Sequence, residues 1–404
     1  MRDYRCIRAF YPVPSRSPRH AGIVGPSPSL SAKIALQRRQ LEMKGTMRIL
    51  VLWAHESSTN LGVAALARGS RDLLLKVWPE ADIEFVNYGA RPLPVPWGRP
   101  RSLIRERLMP RVGMQEYLRQ FDLVWDTRSG DSFSDIYGLS RHLTMGLVYE
   151  FALQAGAVGV LAPQTVGPFN SRRATWIAQR NLKRSTAVFS RDPASSIAAE
   201  KLGTRPTALS SDMVFGIDEI SASKTRDVLL NVSGLLWREN PHVNAENYRE
   251  AMFRTAENLH AEGRRVSLLA HVLDSPDPDN DVPAIRELSQ TLSYNPELIV
   301  PTDLDSVRET IASSKLVIAA RMHASLNALS LGVPAIPLAY SRKFAPLMDS
   351  LGWKHSLDLR DSQELPDEIL VLSRKKQLNR DAQSAQQKGR RSLMSVAEEL
   401  RKIL

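Results

Sequence analysis

Cysteine is nearly missing from this chain: Cys6 is the single one in 404 residues. No intrachain disulfide can form, cysteine-based zinc sites are excluded, and the pattern suits a reducing compartment. Long apolar runs are missing too. Spanning a bilayer takes ~18–20 consecutive apolar residues, and the nearest approach, Phe151 to Phe169, is broken by Gln154, Pro163, Gln164 and Thr165. The leading segment has no apolar h-region and so is not a secretory signal. These absences point to a soluble protein.

Length and positive charge are what the chain does have. Two domains are the natural expectation for 404 residues, and 43% hydrophobic content supplies ample core. The net charge of +11 suggests a nucleic-acid partner until it is located. Residues 1–46 hold nine Lys/Arg against Asp3 and Glu42, a local +7 that leaves an unremarkable +4 over the remaining 358 residues. That Pro/Ser/Arg-rich segment lacks periodicity until about residue 31. Composition favours a disordered extension or a mis-chosen start upstream of Met47 over a nucleic-acid-binding arm or a targeting peptide.

From Met47 onward strand-like and helix-like runs alternate. Strands are expected at Ile49–Ala54, Ile83–Tyr88, Leu123–Trp125, Ala157–Leu161, Ala187–Ser190 and Pro206–Leu209. Helices are expected at Val63–Val77, Tyr137–Ala155, Ser171–Arg184 and Pro193–Leu202, and the Pro-punctuated stretch Ala90–Arg101 reads as a loop. After a polar lapse at 217–226, a second series runs from strand Val228–Val232 through strand Leu316–Ala320 to helix Phe344–Leu351. Short apolar strands alternating with helices predict parallel sheets covered on both faces. The expected organisation is an α/β protein of two Rossmann-like doubly wound domains, 47–216 and 227–374, with a linker between them and a polar helix at 375–404. Ligands of such sheets sit at the carboxyl ends of the strands, so the loops there carry the candidate chemistry.

After the first strand, "HESSTNLGVAA" offers Asn60 at a helix start and Gly62, where backbone can approach a ligand; an ordinary helix cap explains Asn60 equally well. This loop is neither G-x-G-x-x-G nor a P-loop, so neither NAD nor ATP is indicated. "WDTRSGDSFSDIYG" crowds Asp126, Asp131 and Asp135 into one loop, suited to sugar hydroxyls, a cation or a base. "APQTVGPF" presents Gln164 and Thr165. In "FSRDPASS", Arg191 stands beside a helix start, where a cation is disfavoured unless an anion joins it; a local pair with Asp192 is the alternative. Asp212 and His271 close two further strands. Asp277, Asp279 and Asp281 mimic the opening of an EF-hand, but Val282 and Leu288 occupy the positions that need Gly and Glu, so calcium is rejected there.

Arg321 and His323 in "AARMHASLNALSLGVPAI" sit where a buried strand hands over to a helix. A buried, unpaired guanidinium is prohibitively costly. In an extended segment, residues two apart point the same way, so both side chains are expected to face a cleft. With Arg191 and Lys343 they would form a pocket for a small, multiply charged anion.

The ordered set "NLGVAALARG", "SGDSFSDIYG", "APQTVGPF", "SRDPAS", "SSDMVF" and "ARMHASLNALSLGVPAIPLAYSRKF" resembles the polysaccharide pyruvyltransferase family over about residues 47–352. The resemblance implies a GT-B-like fold and transfer of pyruvate from phosphoenolpyruvate to sugar hydroxyls of a cell-surface polysaccharide or its precursor, as a ketal with release of phosphate. It carries the family's R-D arginine onto Arg191, its R-x-H pair onto Arg321 and His323, and its tyrosine-to-lysine segment onto Tyr340 and Lys343. Val63 stands where members often have an acidic residue, and Ser129 where glycine is common. On this reading Arg191, Arg321 and Lys343 hold the donor's anionic groups, His323 is the acid, and Asp131 orients or deprotonates the acceptor. Asn60, Gly62, Gln164, Asp212 and His271 complete the substrate-binding set.

No metal and no cofactor are expected, phosphoenolpyruvate being a co-substrate. The expected partners are a saccharide acceptor, lipid-linked forms included, and the inner membrane face as a peripheral contact, with no nucleic acid. The expected location is the cytoplasm, and the oligomeric state is open. The competing readings are a GT-B nucleotide-sugar glycosyltransferase, against which Asn327 stands where retaining members often place a Glu, and a non-catalytic glycan- or anion-binding relative.

Overall fold

The computed structural model describes residues 46–88, 99–276, 279–360 and 364–403. The expectations for residues 1–45, for most of the loop at 90–101 and for Asp277 fall outside these residues.

Six parallel strands form the first sheet: β1 (Arg48–Leu52), β2 (Asp82–Val86), β3 (Leu123–Asp126), β4 (Val158–Gln164), β5 (Ala187–Ser190) and β6 (Ala208–Leu209), in the order β2-β1-β3-β4-β5-β6. The second also has six: β7 (Arg226–Asn231), β8 (Val266–Leu269), β9 (Glu297–Ile299), β10 (Ser314–Ala319), β11 (Ala335–Ala339) and β12 (Leu357–Asp358), in the order β12-β11-β10-β7-β8-β9. Winding reverses between β1 and β3 in one sheet and between β7 and β10 in the other. Such switch points open a crevice at the carboxyl ends of the strands.

Alternation in the strands explains the layers. Ile49, Val51, Leu123 and Trp125 face a core that continues into the second sheet and the terminal helix, whereas Leu50, Leu52 and Val124 face an outer core beneath Leu103, Val148 and Leu182. The two halves are held closely. Arg68 reaches across to Asp305 at 3.2 Å, and within the first half Gly69 packs so tightly on Met213 that a β-carbon would overlap its carbonyl oxygen. Helix Leu378–Ile403 lies back across the first half, where Ser211 Oγ donates to the Gly389 carbonyl at 2.6 Å and Arg401 to the Lys76 carbonyl.

Several elements differ from expectation for identifiable reasons. β1 stops at Leu52 because Trp53 adopts φ +69°. The helix expected from Tyr137 begins at Leu139, after Gly138 at φ +99°. Helices Pro100–Leu108, Met114–Leu118 and Leu365–Ser373 were not expected. Among the described residues, no helix is long and apolar enough to cross a membrane.

Candidate active site

Both switch points open into the same space. A cavity of about 730 Å³ is lined by Asn60, Asp131 and Arg141 from the first half and by Arg321, His323 and Lys343 from the second. Its size falls in the ~300–1,000 Å³ range typical of small-molecule sites. A second hollow of about 700 Å³ adjoins it at His242. Only the first gathers strand-end loops from both sheets.

Arg321 and His323 do not share an extended segment. Arg321 is the N-cap (φ −82°, ψ 119°) of helix Met322–Ser330, and His323 already lies within the first turn. The side chains therefore diverge. Arg321 turns into its own half, donating from Nε and Nη2 to Asp281 at 3.0 and 2.7 Å, with Nη1 2.7 Å from Asp279. The aspartates that mimic a calcium loop thus embrace a guanidinium. Burial alone would lower the Arg321 pKa, but these carboxylates raise it above the ordinary value.

His323 crosses to the first half instead. Its Nε2 is buried, has no hydrogen-bond partner among the described residues and lies 3.6 Å from Asp212. Asp212 also accepts from Arg191 Nη1 at 2.9 Å, and Arg191 Nε donates to Thr165 at 2.9 Å. Asp192 is not the partner of Arg191: it caps helix Pro193–Lys201 by accepting from the Ser195 amide at 2.8 Å. The anion required beside Arg191 is Asp212. Burial pushes the Asp212 carboxyl upward, yet the His323 imidazole and the Arg191 guanidinium hold it well below the usual carboxylate range. Thr165, Arg191, Asp212 and His323 form one chain of contacts, buried at Arg191 and Asp212, with half-buried Thr165 and His323 at the cavity wall.

Gly62 explains the reach of His323. A β-carbon there would lie 2.7 Å from the imidazole Nδ1. What approaches the Gly62 backbone is therefore the histidine. Asn60 acts as the ordinary cap, its Oδ1 accepting from the Gly62 amide at 3.0 Å.

A second charged pair closes the opposite wall. Lys343 Nζ lies 2.6 Å from Asp131 Oδ2, to which Tyr137 also donates at 2.7 Å. Burial opposes ionisation of Asp131, but Lys343 outweighs it and lowers the carboxyl to about 2; the Lys343 ammonium is raised in turn. A carboxylate that weakly basic suits orienting a hydroxyl better than deprotonating it. His271 lines the cavity but is only 1% exposed, and its Nε2 meets the Asn327 amide at 3.2 Å. Burial, with the charges of His323 and Arg321, lowers it to about 3 and keeps it neutral. Gln164 is buried beneath the site, donating to the Asp126 carbonyl at 3.2 Å, and does not line the cavity.

Comparison with known sequences and structures fits this arrangement to a lineage. The sequence model described as polysaccharide pyruvyl transferase matches residues 60–342, from the cap at Asn60 to Arg342 beside the site lysine. The chain belongs to the polysaccharide pyruvyl transferase family. No curated protein sequence matches it. Among solved structures, UDP-GlcNAc 2-epimerase from Neisseria meningitidis bound to UDP-GlcNAc is 11% identical with a TM-score of 0.52, covering 88% of this chain and 100% of its own. UDP-GlcNAc 2-epimerase from Methanocaldococcus jannaschii is 10% identical with a TM-score of 0.51, covering 87% and 100%. Anabaena HepE in complex with UDP and glucose is 12% identical with a TM-score of 0.51, covering 88% and 98%. These likenesses establish a GT-B-like fold for this pyruvyl transferase family member.

The three cations expected to bind a donor are thus already neutralised by Asp212, by Asp279 with Asp281, and by Asp131. Two cavity guanidiniums are not. Among the described residues Arg141 Nε is buried with no hydrogen-bond partner while its guanidinium stacks 4.5 Å over Tyr88, and Arg342 donates to the Gly167 carbonyl at 2.9 Å. Neither has an acidic partner among the described residues. Arg141 was not identified from sequence, since it sits in the first turn of the largely buried helix Leu139–Ala155, just past the strand-end loop. Ser129, where the family often has glycine, takes φ +50° and is held by donating to the Trp53 carbonyl at 2.9 Å.

Proposed function

We propose that this family member transfers pyruvate from phosphoenolpyruvate to two hydroxyls of a saccharide as a ketal, releasing inorganic phosphate. The observation that carries the reading is His323: its Nε2 is buried 3.6 Å from Asp212, with no hydrogen-bond partner among the described residues, while its side chain, 17% exposed, lines a cavity fed by both sheets. A proton held there can pass to the donor's methylene carbon, leaving an oxocarbenium-like centre. One acceptor hydroxyl adds to that centre, losing its proton. Phosphate then departs and a second hydroxyl adds, closing the ketal. Arg141 and Arg342, with Lys343 when substrate displaces Asp131, read the phosphate and carboxylate. Arg191 fixes Asp212 against His323, and Arg321 holds the loop of Asp279 and Asp281. Asp131 and Tyr137 orient the acceptor. The acceptor class is a cell-surface polysaccharide or its precursor, and a donor drawn from central metabolism places the reaction in the cytoplasm.

A nucleotide-sugar donor, as in the structural neighbours named above, has less support. Asn327 is buried, accepting from Arg308 at 2.9 Å and donating toward His271, so it is turned from any ribose. The test is phosphate release from phosphoenolpyruvate with a panel of saccharide acceptors, with His323→Ala alongside. Acceptor-dependent release that the variant loses is the expected result. Failure of phosphoenolpyruvate to bind would overturn the donor assignment.

A further inference from the structure

The outer helical layer of the first half carries apolar side chains that the cleft does not use. Four of the thirteen large hydrophobic residues exposed among the described residues fall between 104 and 112: Ile104 (43%), Leu108 (75%), Met109 (59%) and Val112 (51%). Arg99, Arg101, Arg105, Arg107 and Arg111 are interleaved with them, and the one acid in this stretch, Glu106, is buried. Exposed apolar clusters of this kind mark interaction sites.

The tip is built, not loose. Glu106 points inward and its carboxylate accepts from the amides of Arg111 (2.9 Å), Val112 (3.0 Å) and Met114 (3.5 Å). Burial would raise this carboxyl, but the amides hold it below the usual glutamate range. Leu103 anchors the other side in the outer core, which leaves Leu108, Met109 and Val112 held out toward solvent.

The same layer continues across helix Leu139–Ala155. Arg107 donates to Gln154, Gln154 to Glu150, and Glu150 is shared by Arg180 and Arg184 of helix Arg172–Arg184. That helix has five Lys/Arg, no acid, and Trp176 59% exposed. The result is an arginine-rich face with an aliphatic tip at one side and a tryptophan at the other.

We propose that this face docks on an anionic phospholipid membrane, with Leu108, Met109 and Val112 entering the headgroup boundary and the arginines meeting lipid phosphates. Charge complementarity selects this occupant. A second copy would oppose arginine to arginine, and a nucleic acid would leave Leu108 and Met109 in water. Helix Leu139–Ala155 joins the face to the cleft: Gln154 contacts Arg107 near one end, and Arg141 lines the cavity near the other, roughly 20 Å away at 1.5 Å per residue. This face is the same whatever donor the cleft uses.

The test is co-sedimentation of the full chain with vesicles of phosphatidylcholine, alone or with about 30 mol % phosphatidylglycerol. Binding to the anionic vesicles, weakened by salt, is expected. A variant combining Leu108→Ser, Met109→Ser and Val112→Ser should lose it by roughly tenfold or more while melting like the parent, because these side chains are exposed. Arg101→Gln with Arg105→Gln should weaken binding without touching the apolar tip. Absence of vesicle binding, retention of an RNA homopolymer without vesicle binding, or equal binding by parent and serine variant would each overturn the proposal. The last result would assign lipid binding to another part of the chain, such as residues 1–46.

Discussion

Position 62 decides the site at the scale of single residues. With a β-carbon 2.7 Å from His323 Nδ1, Gly62→Ala must displace the imidazole or the helix start that opposes it. Overpacking of this kind costs on the order of 1–3 kcal/mol, and a misplaced acid costs far more in rate. The expected outcome is turnover down at least about hundredfold with the fold intact, read from phosphate release beside a thermal melt; unchanged turnover would remove His323 from the chemistry. Arg141→Gln and Arg342→Gln separate binding from chemistry. Each should raise the KM for phosphoenolpyruvate by roughly tenfold or more with smaller effects on kcat, since each removes a cation without an acidic partner. Unchanged KM values would return donor binding to Lys343 and Arg191. The residue types at the site were legible because strand ends of doubly wound sheets are known places to look. Their pairings were not. Nothing local in "FSRDPAS" distinguishes Asp212, 21 residues away, from Asp192 next door as the partner of Arg191.

Close packing of elements, more than any single contact, sets the cleft's geometry. Helix Leu61–Val77 meets the turn Met213–Gly216 through Gly69, and the terminal helix meets the same turn through Gly389, where a β-carbon would lie 2.5 Å from the Phe215 ring. Gly69→Ala strikes backbone and Gly389→Ala strikes a packed ring, so neither neighbour can yield cheaply. Each should cost on the order of 2 kcal/mol or more in urea unfolding, with Gly69→Ala the worse. Equal stability would mean the helix moves more freely than its burial implies. Apolar strands such as β1 and β4 read plainly as buried parallel strands, and the alternation of strand with helix specified two sheets. Helix Met322–Ser330 shows where such reading runs out. Its start at Arg321 depends on backbone torsions that the pattern "ARMH" does not encode, so two residues expected side by side point into opposite halves.

The whole molecule's response to acid follows from histidines buried neutral. Burial, chiefly, lowers His271 to about 3 and His142 to about 4, with Arg128 adding to the effect at His142 and His323 and Arg321 at His271. Unfolded, both would titrate near 6.5. Below that value the unfolded chain binds protons that the native chain refuses, so stability falls as pH drops from about 6.5 toward 4, and further toward 3 for His271. Each contributes on the order of 1–2 kcal/mol of loss by pH 5. Asp72 works against them: burial raises it to about 6, so the native chain gains a proton early and is favoured below that pH. Asp131, held to about 2, supplies stability that is lost only below about pH 3.8. His242 is lowered by burial too, and Asp126 is raised by it, so the histidine contribution is read as the difference between the parent and a His142 variant rather than from the net slope. Urea unfolding at pH 7.5 and 5.0 measures it. The His142 ring packs on Phe133 and Phe169, and its hydrogen-bond partner among the described residues is the Ala174 carbonyl at 3.1 Å, so His142→Gln keeps a donor there while removing the proton uptake. The variant should therefore lose less stability than the parent between the two pH values, by about the contribution of one histidine. An identical loss in both would mean that the acid response comes from elsewhere in the chain.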